Sequence, residues 1–216
     1  MKKDLTELVF ILDRSGSMSG LESDTIGGYN ALLQKQKAEA GDAVVTTVLF
    51  DDRIELLHDR IGIKGVKEVT DKEYFVRGST ALLDAIGISI DKIVNARRHQ
   101  DESEQPEKTM FIITTDGYEN ASTRFTYERI RHMVTHEQEK YGWEFLFIGA
   151  NMDAIAAAQR FGIHADRAST RHSDGKGAQL QYEVLSQAIS YNRLNKSMPS
   201  DWSGEIDRDY EARGKK

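Results

Sequence analysis

A doubly wound α/β domain, with a mainly parallel central sheet and helices on both faces, is the fold this sequence predicts. Short apolar runs rich in β-branched and aromatic residues recur at Leu8 to Leu12, Val44 to Phe50, Met110 to Thr114 and Trp143 to Ile148. Uninterrupted runs of this length are the pattern of strands buried on both faces. Segments with apolar residues at helical spacing separate them. Strands alternating with such helices build a parallel sheet, because each crossover needs a helix to return the chain to the same edge.

Taken in order, the first strand ends abruptly at Asp13. Ile26, Tyr29 and Leu33 then mark one face of a helix that finishes before Gly41. After the strand ending at Phe50, the polar Asp51-Asp52-Arg53 turn lets Ile54 to Leu57 return as an antiparallel edge strand. Leu82, Ile86, Ile90, Ile93 and Val94 line a second helix, followed by the polar stretch Arg97 to Pro106. Further helices are marked by Ile130, Met133 and Val134, by Ala154 to Phe161 before Gly162, and by Val184, Leu185, Ala188 and Ile189. Residues 1–194 therefore read as the domain, and 195–216 as a polar tail, loosely ordered and docked at most through Trp202. Its apolar residues are Met198, Trp202, Ile206 and Tyr210.

Composition narrows the chemistry. The 216 residues include no cysteine, which removes thiolate metal sites, cysteine nucleophiles and disulfides, and fits a reducing compartment. Twenty-nine Lys and Arg against 35 Asp and Glu give a net charge of -6, which argues against broad nucleic-acid binding. No apolar run approaches the ~20 residues that span a bilayer, and no signal-peptide core follows Met1, so the expectation is a soluble cytoplasmic protein without a membrane partner.

Ligands of open α/β sheets sit beyond the carboxyl ends of the strands, at the point where the winding reverses. The first strand runs into Asp13-Arg14-Ser15-Gly16-Ser17, and the Met110 strand runs into Thr115-Asp116-Gly117. If those strands are neighbours, the two carboxylates converge. Arg77-Gly78-Ser79-Thr80 offers another hydroxyl just before a helix. Two carboxylates and three hydroxyls, with no His or Cys nearby in sequence, suit a hard octahedral cation. Mg²⁺ is the natural occupant, with Mn²⁺ or Ca²⁺ as alternatives. A first shell made largely of neutral hydroxyl and water leaves such an ion positive, so it favours an incoming carboxylate.

Asp13-x-Ser15-x-Ser17, Thr80 after Gly78-Ser79, and Asp116-Gly117 resemble the metal-ion-dependent adhesion site of von Willebrand factor A domains. The resemblance covers roughly residues 5 to 190, with its motifs before Asn120, and is closest to small stand-alone bacterial or phage members. It implies a Rossmann-like sheet with one antiparallel edge strand. Ser15, Ser17 and Thr80 would touch the metal through their hydroxyls, and Asp13 and Asp116 would act mainly through water, Asp116 being able to shift to direct contact. The implied function is a non-enzymatic module whose bound cation captures an acidic residue of a protein partner. Arg14 fills a variable position, its charge either pointing away from the cation or meeting the partner's carboxylate.

Two other readings compete. Asp13 could be the nucleophile of a metal-dependent phosphoryl-transfer or hydrolytic enzyme, but the acid/base Asp expected two residues later is Ser15. An accessory subunit of an ATPase or RNA-associated assembly would use the same metal site. His132 and His136 lie one helical turn apart but lack the adjoining Glu of a helical metalloprotease, and read as a solvated helix face. Gly175-Lys176-Gly177 lacks the spacing of a phosphate loop and reads as a helix start.

Overall fold

In the computed structural model, which describes residues 1–195 and 197–214, six strands form one sheet. They are β1 (Lys2–Asp13), β2 (Asp42–Phe50), β3 (Ile54–Gly62), β4 (Pro106–Thr115), β5 (Glu144–Ala150) and β6 (Ala168–Arg171). Their order is β3-β2-β1-β4-β5-β6, all parallel except β3, which pairs antiparallel with β2. The Asp51–Asp52 turn thus makes the antiparallel edge that the sequence leads one to expect, and β3 runs five residues past Leu57.

Side chains of successive strand residues point to opposite faces, so each apolar run feeds two cores. Leu8, Phe10 and Leu12 pack on one face against α1 (Glu22–Ala38) and α5 (Gly175–Asn195). Val9 and Ile11 pack on the other against α2 (Leu82–Arg98), α3 (Tyr127–Tyr141) and α4 (Ala154–Arg160). All five residues are at most 1% exposed, which is why the run shows no polar alternation.

Two features depart from expectation. β6 is only four residues long, and its sequence Ala-Ser-Thr-Arg carries no apolar run, so only its pairing with β5 identifies it as a strand. The expected loose tail instead contains a sixth helix, α6 (Gly204–Arg213), packed against β6 and α5. Met198, Trp202 and Ile206 are all buried in the first core, and the Trp202 indole N–H donates to the Asp166 carbonyl at 2.7 Å. Charged residues help to hold this segment: Asp207 accepts the Ser169 hydroxyl at 2.7 Å, and Arg213 pairs with Asp174 at 2.6 Å. No helix of the described residues is long and apolar enough to cross a membrane.

Candidate metal centre

After β1 the chain crosses over through α1, and after β4 through α3, on opposite faces of the sheet. The crevice beyond the adjacent ends of β1 and β4 is therefore the switch point. Leu12 pairs with Thr114, which sets Asp13 beside Thr115 and Asp116. Asp13 is 1% exposed. Its Oδ1 accepts the Ser15 N–H at 2.6 Å, and its Oδ2 accepts the Thr115 hydroxyl at 2.6 Å and the Asp116 N–H at 3.4 Å. Burial pushes the Asp13 carboxyl above its ordinary range, and these neutral donors oppose that shift.

The Thr80 loop is laid over the site by the backbone. The Gly16 N–H donates to the Gly78 carbonyl at 3.1 Å, the Arg77 N–H to the Arg14 carbonyl at 3.0 Å, and the Ala81 N–H to the Asp51 carbonyl at 2.8 Å. Gly78 has φ +65°, and a Cβ there would lie 2.2 Å from Asp52 Oδ1, so the turn requires glycine. From this loop the Thr80 hydroxyl donates to Ser15 Oγ at 3.0 Å, and Ser15 Oγ lies 2.9 Å from Ser17 Oγ. Three hydroxyls from two loops thus form one chain, with Ser17 exposed at its outer end. The segment after Asp116 holds Thr80 and α2 from the other side. Asn120 Oδ1 accepts the Thr80 N–H, and Glu119 and Ser122 accept the Leu83 and Asp84 N–H groups, satisfying the first amides of α2.

Asp116 closes the cluster and is handled differently from Asp13. Its Oδ1 accepts Arg171 Nη2 at 2.7 Å, and its Oδ2 accepts the Ser173 hydroxyl. Burial raises this carboxyl as well, with the Arg171 charge and the Ser173 hydrogen bond opposing. Gly117 brings the turn onto the hydroxyls: a Cβ there would meet Ser17 Oγ at 2.8 Å and Thr80 Oγ1 at 3.3 Å.

All five residues expected at the site, Asp13, Ser15, Ser17, Thr80 and Asp116, therefore lie together beyond the ends of β1 and β4, all buried except Ser17. The donor set is entirely oxygen and fits a hard divalent cation. Among the described residues no three His, Asp or Glu side chains are grouped to hold a metal, so an ion here would rely on hydroxyls and water for most of its shell. Arg14 points away: Nε donates to Asp51, Nη2 to Glu55 and Nη1 to the Glu73 carbonyl. His132 and His136 stack with ring centroids 6.3 Å apart on the exposed side of α3, away from any acidic ligand set. Gly175 is the first residue of α5, as expected of a helix start.

Three participants were not legible in advance. Thr115 orients Asp13 but is an ordinary strand residue in sequence. Arg171 and Ser173 reach Asp116 from 55 and 57 residues away, with no motif around them. Beside Ser173 a groove of about 920 Å³ opens between Tyr118 and α6, with Asp153, Asp207 and Glu211 among its walls.

No family model and no curated protein matches the chain in sequence. Similar solved structures exist. A von Willebrand factor type A protein from Catenulispora acidiphila shares 12% identity at a TM-score of 0.56, over 86% of this chain and 42% of that one. Manganese-loaded TRAP protein of Plasmodium vivax shares 15% at 0.56, over 83% and 73%. Proximal thread matrix protein 1 from the mussel byssus, with a zinc-occupied MIDAS motif, shares 17% at 0.54, over 86% and 46%. The chain thus corresponds to less than half the length of the mussel and Catenulispora structures.

Proposed function

We propose that this chain, which has the fold of von Willebrand factor A domains, is a divalent-cation-dependent protein-binding module and not an enzyme. Ser15, Ser17 and Thr80 would hold the ion directly, and Asp13 and Asp116 would act mainly through water. Mg²⁺ is the proposed ion, with Mn²⁺ and Ca²⁺ as alternatives. When bound, the ion supplies an electrophilic centre for an anionic oxygen, here a carboxylate of a protein partner. The observation that carries this reading is the chain of Thr80, Ser15 and Ser17 hydroxyls in the loops that adjoin the two buried carboxylates at the switch point.

This chain's own residues prepare the site in three ways. Thr115 and the Ser15 amide fix the Asp13 carboxylate in one orientation. The Gly16–Gly78 hydrogen bond holds the two hydroxyl loops together. Ser17, at the exposed end of the hydroxyl chain, faces the side from which a partner can approach. Metal-loaded neighbours of the same fold support the metal part of the reading.

The same geometry disfavours Asp13 as a nucleophile. Both of its oxygens accept hydrogen bonds, it is 1% exposed, and Ser15 stands where a second acid is needed. The decisive experiment titrates Mg²⁺ and Mn²⁺ calorimetrically into chelator-treated wild type, Asp13→Ala and Thr80→Ala. One saturable site, lost in both variants, is the expected result. Copurification of partners with and without chelator then reads the binding function. Equal recovery in both would sink the metal-bridged partner.

A further inference from the structure

We infer that Arg171 is a resident counter-ion of Asp116, which lets the site fold without a metal and weakens the metal's hold by competing for that carboxylate. The inference rests on the metal-binding reading above and assigns a role that the five-residue motif does not contain.

The two carboxylates of the site are in unlike company. Asp13 accepts only neutral donors: the Ser15 N–H, the Thr115 hydroxyl and the Asp116 N–H. Asp116 is paired with a full positive charge, and its side chain is 0% exposed against 2% for Arg171. A carboxylate taken out of water is strongly destabilising unless hydrogen-bond donors or a cation compensate it; Asp13 is compensated by three neutral donors, whereas Asp116 has one hydroxyl and relies on a cation. Arg171 is that cation, and it is held in place. Nε donates to Gln181 Oε1 at 2.7 Å, Nη1 to the His172 carbonyl at 2.8 Å, and Nη2 to Asp116 at 2.7 Å. With Ser173 on the second oxygen, each oxygen of Asp116 already accepts one hydrogen bond, so its electron density is shared before any metal arrives.

Charge counting gives the consequence. With both carboxyls ionised, Asp13, Asp116 and Arg171 sum to one negative charge. A divalent cation therefore leaves the site with one net positive charge, and a nearby guanidinium repels the ion through a medium of low effective dielectric. One incoming carboxylate restores neutrality. Metal and carboxylate are thus expected to bind with positive, reciprocal coupling: each is weak alone and strengthens the other. Without Arg171 the site would carry two negative charges, bind the ion more tightly, and need the partner less.

The test uses the 216-residue chain as wild type, Arg171→Met, Arg171→Lys and Arg171→Gln. Mn²⁺ is titrated in chelator-free buffer with and without acetate as the carboxylate probe, and thermal unfolding is followed in chelator and in Mn²⁺. Arg171→Met is expected to melt well below wild type in chelator and to recover most of the difference in Mn²⁺. Its Mn²⁺ affinity should rise by about tenfold or more, while acetate tightens Mn²⁺ on wild type but hardly on the variant. Arg171→Lys, which keeps the charge, should stay near wild type in affinity. Should Arg171→Met fail to fold in either buffer, Arg171→Gln decides: it removes the charge, keeps a polar hydrogen-bonding head, and should bind Mn²⁺ about tenfold more tightly. Wild-type affinity in Arg171→Met, with the same melting deficit in both buffers, would overturn the inference and leave the metal site standing. Binding by the variant but not by wild type supports it. Binding by none of the four proteins overturns the metal site and the inference together.

Discussion

Arg14 adjoins Asp13 in the chain, yet its guanidinium donates to Asp51 at 2.9 Å in a pocket where neither side chain is exposed. Asp51 also accepts Arg77 Nε at 2.7 Å, and the Phe75 ring lies 5.3 Å from the Arg14 guanidinium and 5.1 Å from that of Arg77. This network ties the end of β1 to the Asp51 turn and to the loop that carries Thr80. Removing Arg14 takes a charge-assisted bond from buried Asp51, which keeps Arg77 as a partner, so Arg14→Ala should lower stability by about 1.5–3 kcal/mol, read by denaturant unfolding. Asp51→Asn should be similarly damaging. The double variant should lose less than the sum of the two, because both single changes break the same contact.

Thr115 offers a subtler probe. Its hydroxyl donates to Asp13 Oδ2 at 2.6 Å and accepts the Gly117 N–H at 3.3 Å. Thr115→Val keeps the shape and the β-branched strand residue while deleting that donor. Groups that orient a metal ligand typically contribute about 10–100-fold in affinity. Mn²⁺ affinity should accordingly fall by about tenfold, measured by calorimetry, with the circular dichroism spectrum unchanged. An undiminished affinity would mean that Asp13 does not need fixing.

Much of this fold is legible in sequence because its signals are local. Leu8 to Leu12 and Met110 to Thr114 announce buried strands by composition, and the loops after them announce the carboxylates. β6 is hidden because an edge strand of four residues needs no apolar run; its pairing with β5 is a tertiary fact. Arg171 is hidden for the same reason, since its role depends on a strand that brings position 171 beside position 116. The helix at 204–213 is hidden by its charge; Ile206 is the apolar residue it buries, while Met198 and Trp202 dock the segment that leads into it. Trp202→Ala should therefore cost about 3–5 kcal/mol, a loss that an undocked tail would not show in thermal unfolding.

Glu137 on α3 gives a pH dependence. It is 5% exposed, and its Oε2 has no hydrogen-bond partner among the described residues. Burial raises its carboxyl above the ordinary value of 4.5, against the nearby charges of His136, Arg97, Lys140 and Arg98. A raised folded-state value means that the native protein binds this proton more tightly than the unfolded chain does. Its contribution is therefore most favourable below the unfolded value and is lost as pH rises through the folded one. Glu137→Gln should remove that slope. The variant is expected to be more stable than wild type at pH 7, by roughly 1 kcal/mol, with the gap closing as pH falls below the ordinary carboxyl range. A constant gap across that range would assign the effect to packing and not to the charge.

Gly117 separates the crevice from the fold around it. Its φ is not in the left-handed region, so alanine is conformationally acceptable at this position. The obstacle is space: the added Cβ would stand 2.8 Å from Ser17 Oγ, closer than nonbonded carbon and oxygen tolerate, and 3.3 Å from Thr80 Oγ1, a tight contact. Ser17 is exposed and its hydroxyl can swing outward, which relieves the clash but breaks the 2.9 Å contact with Ser15. Gly117→Ala should therefore fold with a stability change within about 1 kcal/mol, while its Mn²⁺ affinity falls by about tenfold or more because the Ser17 hydroxyl is displaced and that of Thr80 is crowded. Paired unfolding and calorimetric titrations check both halves. If affinity survives the added methyl, the Ser17 and Thr80 hydroxyls do not hold the ion, and the hydroxyl chain is only a loop contact.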